Sequence, residues 1–408
     1  MANVSSSNGL EKRPKLRFPG FDEPWKVFKA EELFRNVTDK NHPDETVLTI
    51  IQGKGTLPRE QAGRNIHYDD ASLSNYKKVE QGDFIIHLRS FEGGLEMANE
   101  AGIVSPAYTI LRCKRPHSSL FYDAYFHTDE FINHNLSKSV EGIRDGRQIS
   151  YEAFKWLGIP YCEPTEQEKI SDLFAALNER IAKQRDLVES LKKYKRGLLR
   201  AYFVTDNWKS QGTWSKCKLG ACCSKIGSGK TPKGGSSVYA NQGIMFLRSQ
   251  NVLWGTLDIS EVSFIDEATN STMQSSEVRF GDVLLNITGA SIGRSCIYTS
   301  NDRANVNQHV CIIRLSQESK ERLLPEFLLQ QILSDRIQQQ VMDCQNGGSR
   351  EGLNFQQIAD FNIVIPEMEE QRKICGMLKA FDQKLCNEEI SLKALFSLRT
   401  SLMQQLFI

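Results

Sequence analysis

The chain has 408 residues, of which 40% are hydrophobic and 25% are charged, and its formal net charge is +1. This composition excludes disordered and fibrous proteins, and the length allows two or three domains with separate cores. No segment approaches the roughly 18 consecutive apolar residues that cross a bilayer, so we expect no membrane association. Ten cysteines are scattered without a CxxC pair, which indicates reduced thiols and a cytoplasmic protein.

In chain order, the sequence predicts five segments. Residues 1–15 are polar and form a flexible leader, and residues 16–164 form a first globular region. Residues 165–204 form a long central helix, residues 205–366 a second globular region, and residues 367–408 a C-terminal helix.

The two halves are related by an internal repeat. Glu166-Gln167-x-Lys169-Ile170 recurs as Glu370-Gln371-x-Lys373-Ile374, and the same offset holds without a gap to Phe203 and Phe407. Upstream, three short matches keep the same order: Gly82-Asp83 with Gly281-Asp282, Ile110-Leu111-Arg112 with Ile312-Ile313-Arg314, and Ile159-Pro160 with Ile365-Pro366. The shared order, more than any single match, indicates two copies of one domain-plus-helix unit.

Each globular region contains short apolar runs that are separated by glycine and polar turns, a pattern typical of strands mixed with brief helices. The fold class is therefore α+β. The runs that we predict as strands are Asp83–Leu88, Ser105–Leu111, Ile244–Leu247, Asp282–Asn286 and Val310–Leu315.

Both long helices carry apolar residues at a spacing of seven, with a second stripe four residues further on. This spacing predicts an antiparallel coiled coil within the chain and a pseudo-two-fold arrangement; the alternative is that each helix packs on its own globular region. A polar residue interrupts each seam in the middle. The seam positions are Ile170, Leu177, Gln184, Leu191 and Leu198 in the first helix, and Ile374, Phe381, Glu388, Leu395 and Leu402 in the second.

Twice along the chain, a globular region is followed by Ile-Pro, by Glu-Gln-x-Lys-Ile and by a long helix. This order resembles that of the specificity subunits of type I restriction–modification systems. Further segments carry this resemblance: Leu16–Phe21 leading to Trp25, Gly102–Tyr108, Leu191–Leu199 at the end of the central helix, and Ile226–Pro232 in the second region. The similarity covers nearly the whole chain from about Leu16, with the helical segments as its specific part.

The resemblance implies a non-catalytic subunit whose two globular regions are target-recognition domains for double-stranded DNA. Each domain would recognise one half of a bipartite, asymmetric site. The helices would act as a spacer and dock two methyltransferase subunits, which would bind S-adenosylmethionine, and motor-nuclease subunits would join for cleavage. A near-neutral charge suits a chain that shares its phosphate contacts with such partners, because a free-standing DNA-binding protein usually has a basic excess.

The sequence matches no complete nucleotide-binding, methyltransferase, nuclease or metal-binding motif. Gly227–Thr231 resembles a P-loop, but the required first glycine is replaced by Ser224 and Pro232 opposes a following helix, so a loop that contacts DNA phosphate is favoured. No Asn/Asp-Pro-Pro-aromatic methyltransferase loop and no paired nuclease carboxylates are present. The seven histidines lack metal-ligand spacing. We therefore expect no catalytic residue, no metal and no bound cofactor in this chain.

Base recognition needs side chains with forked donors or with paired donors and acceptors, carried on exposed loops. In the first region such loops follow the strand at Asp83–Leu88 and precede the central helix; in the second region they occur at the equivalent places. The DNA-contacting candidates are Arg89, Ser90, Gly93, Arg144 and Arg147 in the first region, and Lys230, Thr231, Arg248, Asn251, Asn286, Thr288, Ser291, Arg294, Ser349 and Arg350 in the second.

Two alternatives remain open from sequence alone. The chain could be a coiled-coil assembly adaptor whose globular regions bind proteins, which a flat, exposed apolar face would favour. The basic run Lys192–Arg196 could contact a partner subunit, but we favour a solvated helix face, because cations there complement the helix dipole.

Overall fold

The computed structural model describes residues 13–62, 70–142, 147–203, 214–234, 238–346 and 352–407. It combines antiparallel sheets with helices, so the predicted α+β class is confirmed. The chain divides into two compact units: residues 1–185 with 390–408 form the first unit, and residues 186–389 form the second. Each long helix contributes one part to each unit. The described part of the chain contains no helix long and apolar enough to cross a membrane.

The first unit is built on a four-stranded antiparallel sheet in the order β2-β9-β6-β7. Its strands are β1 (Lys26–Lys29), β2 (Phe34–Val37), β3 (Leu48–Ile51), β4 (Gly55–Pro58), β5 (Lys77–Val79), β6 (Phe84–Ile86), β7 (Glu96–Met97), β8 (Gly102–Val104), β9 (Thr109–Cys113), β10 (Val140–Glu141), β11 (Gln148–Ile149) and β12 (Gly158–Tyr161). Its helices are α1 (Ala30–Leu33), α2 (Ser90–Gly93), α3 (Ser119–Phe126), α4 (Tyr151–Phe154) and the start of α5 (Pro164–Phe203).

The second unit has a four-stranded antiparallel sheet in the order β14-β21-β18-β19 and a mixed sheet in the order β16-β15-β20-β17. Its strands are β13 (Ser215–Lys218), β14 (Cys223–Ser228), β15 (Ile244–Leu247), β16 (Ser263–Ile265), β17 (Glu277–Val278), β18 (Val283–Asn286), β19 (Ser295–Ile297), β20 (Ala304–Val306), β21 (Val310–Leu315) and β22 (Asn362–Ile365). Its helices are α6 (Glu267–Ser271), α7 (Gln317–Lys320), α8 (Pro325–Ile332), α9 (Asp335–Asn346), α10 (Phe355–Ala359) and the start of α11 (Met368–Leu406).

The two units repeat one topology. The pair β1–β12 corresponds to β13–β22, and the antiparallel sheets correspond strand by strand. In the second unit β15 runs parallel to β20; in the first unit the parallel bridge between Val47 and Ile103 gives β3 the same place beside β8. This agreement of topology supports the internal repeat that the sequence predicts.

Of the predicted strands, Ile244–Leu247 and Val310–Leu315 have the predicted bounds. The prediction for Ser105–Leu111 was partly wrong. Residues 105–108 form a turn, and the strand begins at Thr109. Pro106 explains the difference, because proline has no N–H to donate to a sheet.

Aromatic side chains dominate the core of the first unit. Phe84 packs edge-on against Phe34, Tyr122 and Phe126, with ring centroids 5.0–6.4 Å apart, and all four are buried. Such pairs add about 0.5–1.5 kcal/mol each to the burial of their surface. The core of the second unit is mostly aliphatic, drawn from β18, β21, β22 and α8.

The long helix α5 begins with Pro164 in its first turn, where proline costs no hydrogen bond. The seam residues are buried or half-buried along both helices, whereas most residues next to them in sequence are exposed. Within the first unit Phe174 of α5 stacks on Phe407, and Arg185 lies over the ring of Phe396. Within the second unit Tyr194 packs on Phe381 at 5.5 Å. Partners run in opposite directions along the two helices, so the predicted antiparallel pairing is confirmed.

The basic run of α5 has a role that the sequence analysis did not favour. In the second unit Lys192 pairs with Glu389 at 3.0 Å and Lys195 pairs with Asp382 at 2.5 Å. Two of these cations therefore link α5 to α11, whereas a solvated face was expected. Ion pairs this exposed contribute at most about 1 kcal/mol each.

The Glu-Gln pair of the repeat fixes each long helix to its own globular region. Trp25 Nε1 donates to Glu166 at 3.1 Å, and Trp214 Nε1 donates to Glu370 at 2.9 Å. Gln167 and Gln371 are both buried, and each accepts one backbone N–H and donates to a backbone carbonyl just before its helix. The repeated motif is thus a structural joint.

The Gly-Asp pairs are a second repeated joint. Arg112 donates two hydrogen bonds to Asp83 at 2.8 and 2.7 Å, and Arg314 donates two to Asp282 at 2.8 and 2.6 Å. In each unit this ion pair ties the turn before one strand to its neighbour in the sheet. Both repeated aspartates therefore have a structural role.

Candidate nucleic-acid interface

Four polar segments meet at one edge of the main sheet of the second unit. Because β14 and β18 both run antiparallel to β21, Ser228 lies opposite Cys311 and Asn286 lies opposite Val310. The loops that follow β14 and β18 therefore meet the residues that precede β21. The loop after β15 joins them, since Asn286 Nδ2 donates to the carbonyl oxygen of Ser249 at 2.8 Å. We call this edge the second-unit loop face; it consists of residues 229–231, 248–251, 287–294 and 307–309.

A chain of side-chain hydrogen bonds crosses the second-unit loop face. Thr231 Oγ1 donates to Gln308 Oε1, and Gln308 Nε2 lies 3.1 Å from His309 Nε2. His309 Nδ1 in turn lies 2.5 Å from Thr288 Oγ1. Thr231 and Gln308 are exposed, and Thr288 and His309 are half-buried. These contacts hold three separate loops in one polar surface.

Other predicted residues on this face differ in their exposure. Lys230 is exposed, and Ser291 and Arg294 are half-buried in the loop after β18. Arg248 is half-buried, with its guanidinium 5.5 Å from the ring centroid of Tyr239. Its Nε is buried and has no hydrogen-bond partner among the described residues. Cationic groups at a loop edge are suited to phosphate or base contacts.

Asn251 and Asn286 were predicted to contact DNA from exposed loops, but the structure buries both side chains. Asn251 Oδ1 accepts from Arg248 N at 2.9 Å, and its Nδ2 donates to Asp258 O at 2.9 Å. Asn286 Nδ2 donates to the loop after β15. The two amides therefore shape the loops of this face.

Gly229 belongs to the loop that resembles a P-loop in sequence. Gly227 and Ser228 are part of β14, and Gly229 packs directly against the backbone of Val306, where a Cβ would collide. Residues 231–234 form no helix, so the dipole and amide cradle of a P-loop are missing at this place. The segment presents Lys230 and Thr231 at the surface.

The equivalent edge of the first unit gathers the loop after β6 and the residues before α4. Arg89 is exposed and lies 3.9 Å from Glu92, and Arg147 is exposed with its guanidinium 4.3 Å from the ring centroid of Phe91. Gly93 lies against the side chain of Gln52 in the loop after β3. The loops after β3 and β6, which correspond to those after β15 and β18 of the second unit, therefore meet here.

Ser90 was also predicted to contact DNA from an exposed loop, but the structure does not expose it. Its side chain is buried, and its Oγ accepts a hydrogen bond from His87 N at 2.9 Å. The serine closes the turn that begins α2. Arg144, Ser349 and Arg350 lie outside the described residues.

A buried ionic cluster supports the first-unit edge. Glu96 accepts hydrogen bonds from the amides of Gly53 and Gly55 at 2.6 and 2.8 Å, and His127 Nε2 lies 3.4 Å from its carboxylate. Burial is the largest single effect and disfavours both charges, but the hydrogen bonds and neighbouring charges together outweigh it, so the pKa of Glu96 is lowered and the pKa of His127 is raised. Asp123, whose own pKa is raised by burial, lies 3.6 Å from His127.

Gln308, His309 and Tyr239 of the second unit were not predicted from the sequence as residues of the loop face. A signal was present, since Asn307-Gln308-His309 is a polar run directly before the buried strand β21. The candidate loops were predicted from their glycines, and residues 307–309 contain none. Within the described ranges, no three His, Cys, Asp or Glu side chains gather as metal ligands would.

Comparison with known proteins agrees with this geometry. Residues 212–394 match the family model for the type I restriction modification DNA specificity domain. The specificity subunit of the type I restriction enzyme MjaVIII from Methanocaldococcus jannaschii is 20% identical over 389 residues, covering 90% of this chain and 87% of that protein.

Two solved structures have the same fold over nearly the whole chain. The S subunit of a type I restriction-modification system from M. genitalium has a TM-score of 0.57 at 15% identity, covering 97% of this chain and 99% of that one. A chain from a study of complex assembly and conformational transition in the type I R-M system has a TM-score of 0.61 at 16% identity, with 96% and 99% covered.

Residues 212–394 match the type I DNA specificity domain, and the similarity to a specificity subunit over 90% of the chain and the shared fold agree with that match. Together these findings support a DNA specificity subunit of a type I restriction–modification system, as the sequence predicts. It is a non-catalytic, DNA-binding component of the type I complex. This assignment replaces the alternative of a protein-binding adaptor.

Proposed function

We propose that residues 16–164 and 205–366 are two target-recognition domains, and that each contacts one half of a bipartite, asymmetric site in duplex DNA. The observation that carries this proposal is the repetition of the loop edge. Arg89 in the loop after β6 and Arg294 in the loop after β18 lie at the same strand end of the two units. Arg147 adds a further cationic side chain to the first edge, and Lys230 and Arg248 add two to the second. Because the loops differ in sequence, the two halves of the site need not be alike.

We further propose that the segments 165–204 and 367–408 separate these domains and dock two methyltransferase subunits. Exposed apolar side chains outside the seams offer contact points for such subunits. They include Leu187 and Tyr194 on α5 and Ile390 and Leu398 on α11, between 40% and 60% exposed. S-adenosylmethionine would bind to the methyltransferase subunits, and motor-nuclease subunits would join for cleavage. Such a complex acts on chromosomal and incoming DNA, so the protein would be cytoplasmic.

Genome-wide mapping of DNA methylation tests this proposal. The map is compared between cells with and without this gene, with the partner methyltransferase subunit expressed in both. We expect deletion to remove one bipartite motif and to leave every other motif unchanged. The methyltransferase subunit is known to be active when it still methylates the motif of another specificity subunit. If deletion leaves the map unchanged in such cells, the proposal is contradicted.

A further inference from the structure

Gln308 is an exposed polar side chain in the middle of the hydrogen-bonded chain on the second-unit loop face. It is exposed, although the residues on either side of it are held firmly. Asn307 is buried, and its Oδ1 accepts from His309 N at 3.1 Å. The carbonyl oxygen of Asn307 accepts from Gly229 N at 3.1 Å, and that of His309 accepts from Ile287 N at 3.0 Å. The backbone that carries Gln308 is therefore fixed by two neighbouring loops.

The side chain of Gln308 is fixed as well. Its amide is held between Thr231 on one side and the ring of His309 on the other. A glutamine that is free in solvent would lose rotamer entropy on binding, and an amide held in place beforehand avoids much of that cost. The arrangement is that of a side chain prepared for a specific contact.

The hydrogen-bonding capacity that remains on Gln308 defines what it can bind. A primary amide has two N–H donors and two lone pairs on its oxygen. Within the described residues, Thr231 and His309 use one oxygen lone pair and one N–H, which leaves one donor and one acceptor side by side. The result is the same if the amide is turned over, because the hydroxyl and the imidazole can each reverse their role. A paired donor and acceptor matches N7 and N6 of adenine in the major groove.

On the basis of the proposed function, we propose that Gln308 is a specificity-determining residue that recognises one adenine in the half-site of the second unit. Thr231 and His309 are positioning residues that orient its amide. Lys230 and Arg294, on the adjoining loops, are placed to contact phosphates on either side of that base pair. Recognition of guanine or cytosine by Gln308 is disfavoured, since neither base offers this pair of groups on its major-groove edge.

The test uses the full chain in complex with its methyltransferase partner, and the variant Gln308→Leu, which keeps the size of the side chain and removes both hydrogen-bonding groups. Gln317→Leu is the matched control, because Gln317 is also exposed but follows the opposite end of β21. We expect the methylation map of Gln308→Leu to become degenerate at one A·T position in one half of the motif. Discrimination at that position should fall by about 10- to 100-fold, and Gln317→Leu should keep the original motif.

A chemical substitution in the DNA makes the test independent of folding. The mapped target duplex is prepared with 7-deazaadenine at the degenerate position, which removes the N7 acceptor. The wild-type complex should bind this duplex about 10-fold more weakly than the normal one, and Gln308→Leu should bind both with equal, weak affinity.

An unchanged motif for Gln308→Leu, or degeneracy that appears at a G·C pair instead, would overturn the inference. The proposed function would survive either result. If deletion of the gene removes no motif at all, the proposed function itself has failed, and the two failures are thus distinguished.

Discussion

Arg17 donates two hydrogen bonds to Glu166, from Nε to Oε1 at 2.7 Å and from Nη2 to Oε2 at 2.9 Å. The carboxylate side chain is only 1% exposed, and it also accepts the indole N–H of Trp25. The hydrogen bond to Glu166 raises the pKa of Arg17, so the guanidinium stays charged. A residue near the start of the chain thereby fixes the first turn of α5 to the first unit.

Glu166→Gln should lower the free energy of unfolding by about 3 kcal/mol, because it leaves the partly buried guanidinium of Arg17 without a counter-charge. Glu168→Gln is the control, since Glu168 is exposed on the same turn of α5 and should change stability by less than about 0.5 kcal/mol. Urea unfolding of the full chain measures both. Equal effects of the two substitutions would show that the ion pair does not stabilise the joint.

Gly229→Ala should destabilise the second unit and weaken recognition of its half-site, because the added Cβ would collide with the backbone of Val306. We expect a loss of about 2 kcal/mol or more, as for other substitutions that overpack a tight site. Gly227→Ala, in the preceding strand β14, meets only the end of the Lys225 side chain at 3.9 Å and should be tolerated. Thermal unfolding and binding to the mapped target duplex measure the two effects, and a tolerated Gly229→Ala would refute the close contact.

Leu177→Ala and Leu187→Ala compare a seam position with an outer position on the same helix. Leu177 is 9% exposed and Leu187 is 40% exposed. Removing the seam side chain should cost about 2–4 kcal/mol through lost burial and a residual cavity, and removing the outer one less than about 1 kcal/mol. The outer substitution should instead weaken binding of the methyltransferase subunit, which co-purification and calorimetry would detect. If Leu187→Ala proved the more destabilising change, the seam would have been assigned to the wrong face.

The His127–Glu96 pair should make the stability of the first unit depend on pH. The pKa of His127 is raised on folding, so its contribution is present below its ordinary value of about 6.5 and is lost as pH rises through the raised value. The pKa of Glu96 is lowered, so its contribution is lost only as pH falls through that lowered value.

His127→Gln should therefore cost more stability at pH 5.5 than at pH 8.5, as measured by urea unfolding at both values. His134→Gln is the control, because His134 is 63% exposed beside Glu130 and should show little difference. A cost for His127→Gln that stays constant with pH would mean that the imidazole is not charged in the folded chain.

The sequence predicts those parts of this protein that depend on local patterns. The spacing of seven along α5 and α11 predicts both seams. The Glu-Gln pair marks one joint of the repeat, and the Gly-Asp pair marks the other. The partners of those joints are not local: Arg17 meets Glu166 across 149 positions. A pattern of neighbouring residues carries no information about such a contact.

The loop faces show the same limit. A polar residue on a loop can point to solvent or bind the loop's own backbone, and the sequence does not distinguish the two. Ser90, Asn251 and Asn286 satisfy backbone groups, as buried amides and hydroxyls must. Gln308 precedes the first residue of β21, Val310, and only the three-dimensional meeting of β14, β18 and β21 places it beside Thr231.

The central claim is that each unit recognises its own half of the target, and methylation mapping of two loop-face variants tests it most directly. One variant combines Arg89→Ala with Arg147→Ala in the first unit, and the other combines Lys230→Ala with Arg294→Ala in the second. We predict that each variant loses stringency or occupancy in one half of the bipartite motif, and that the two variants affect opposite halves. Loss in the same half for both variants, or a uniform change across the whole motif, would contradict the division of recognition between the two units.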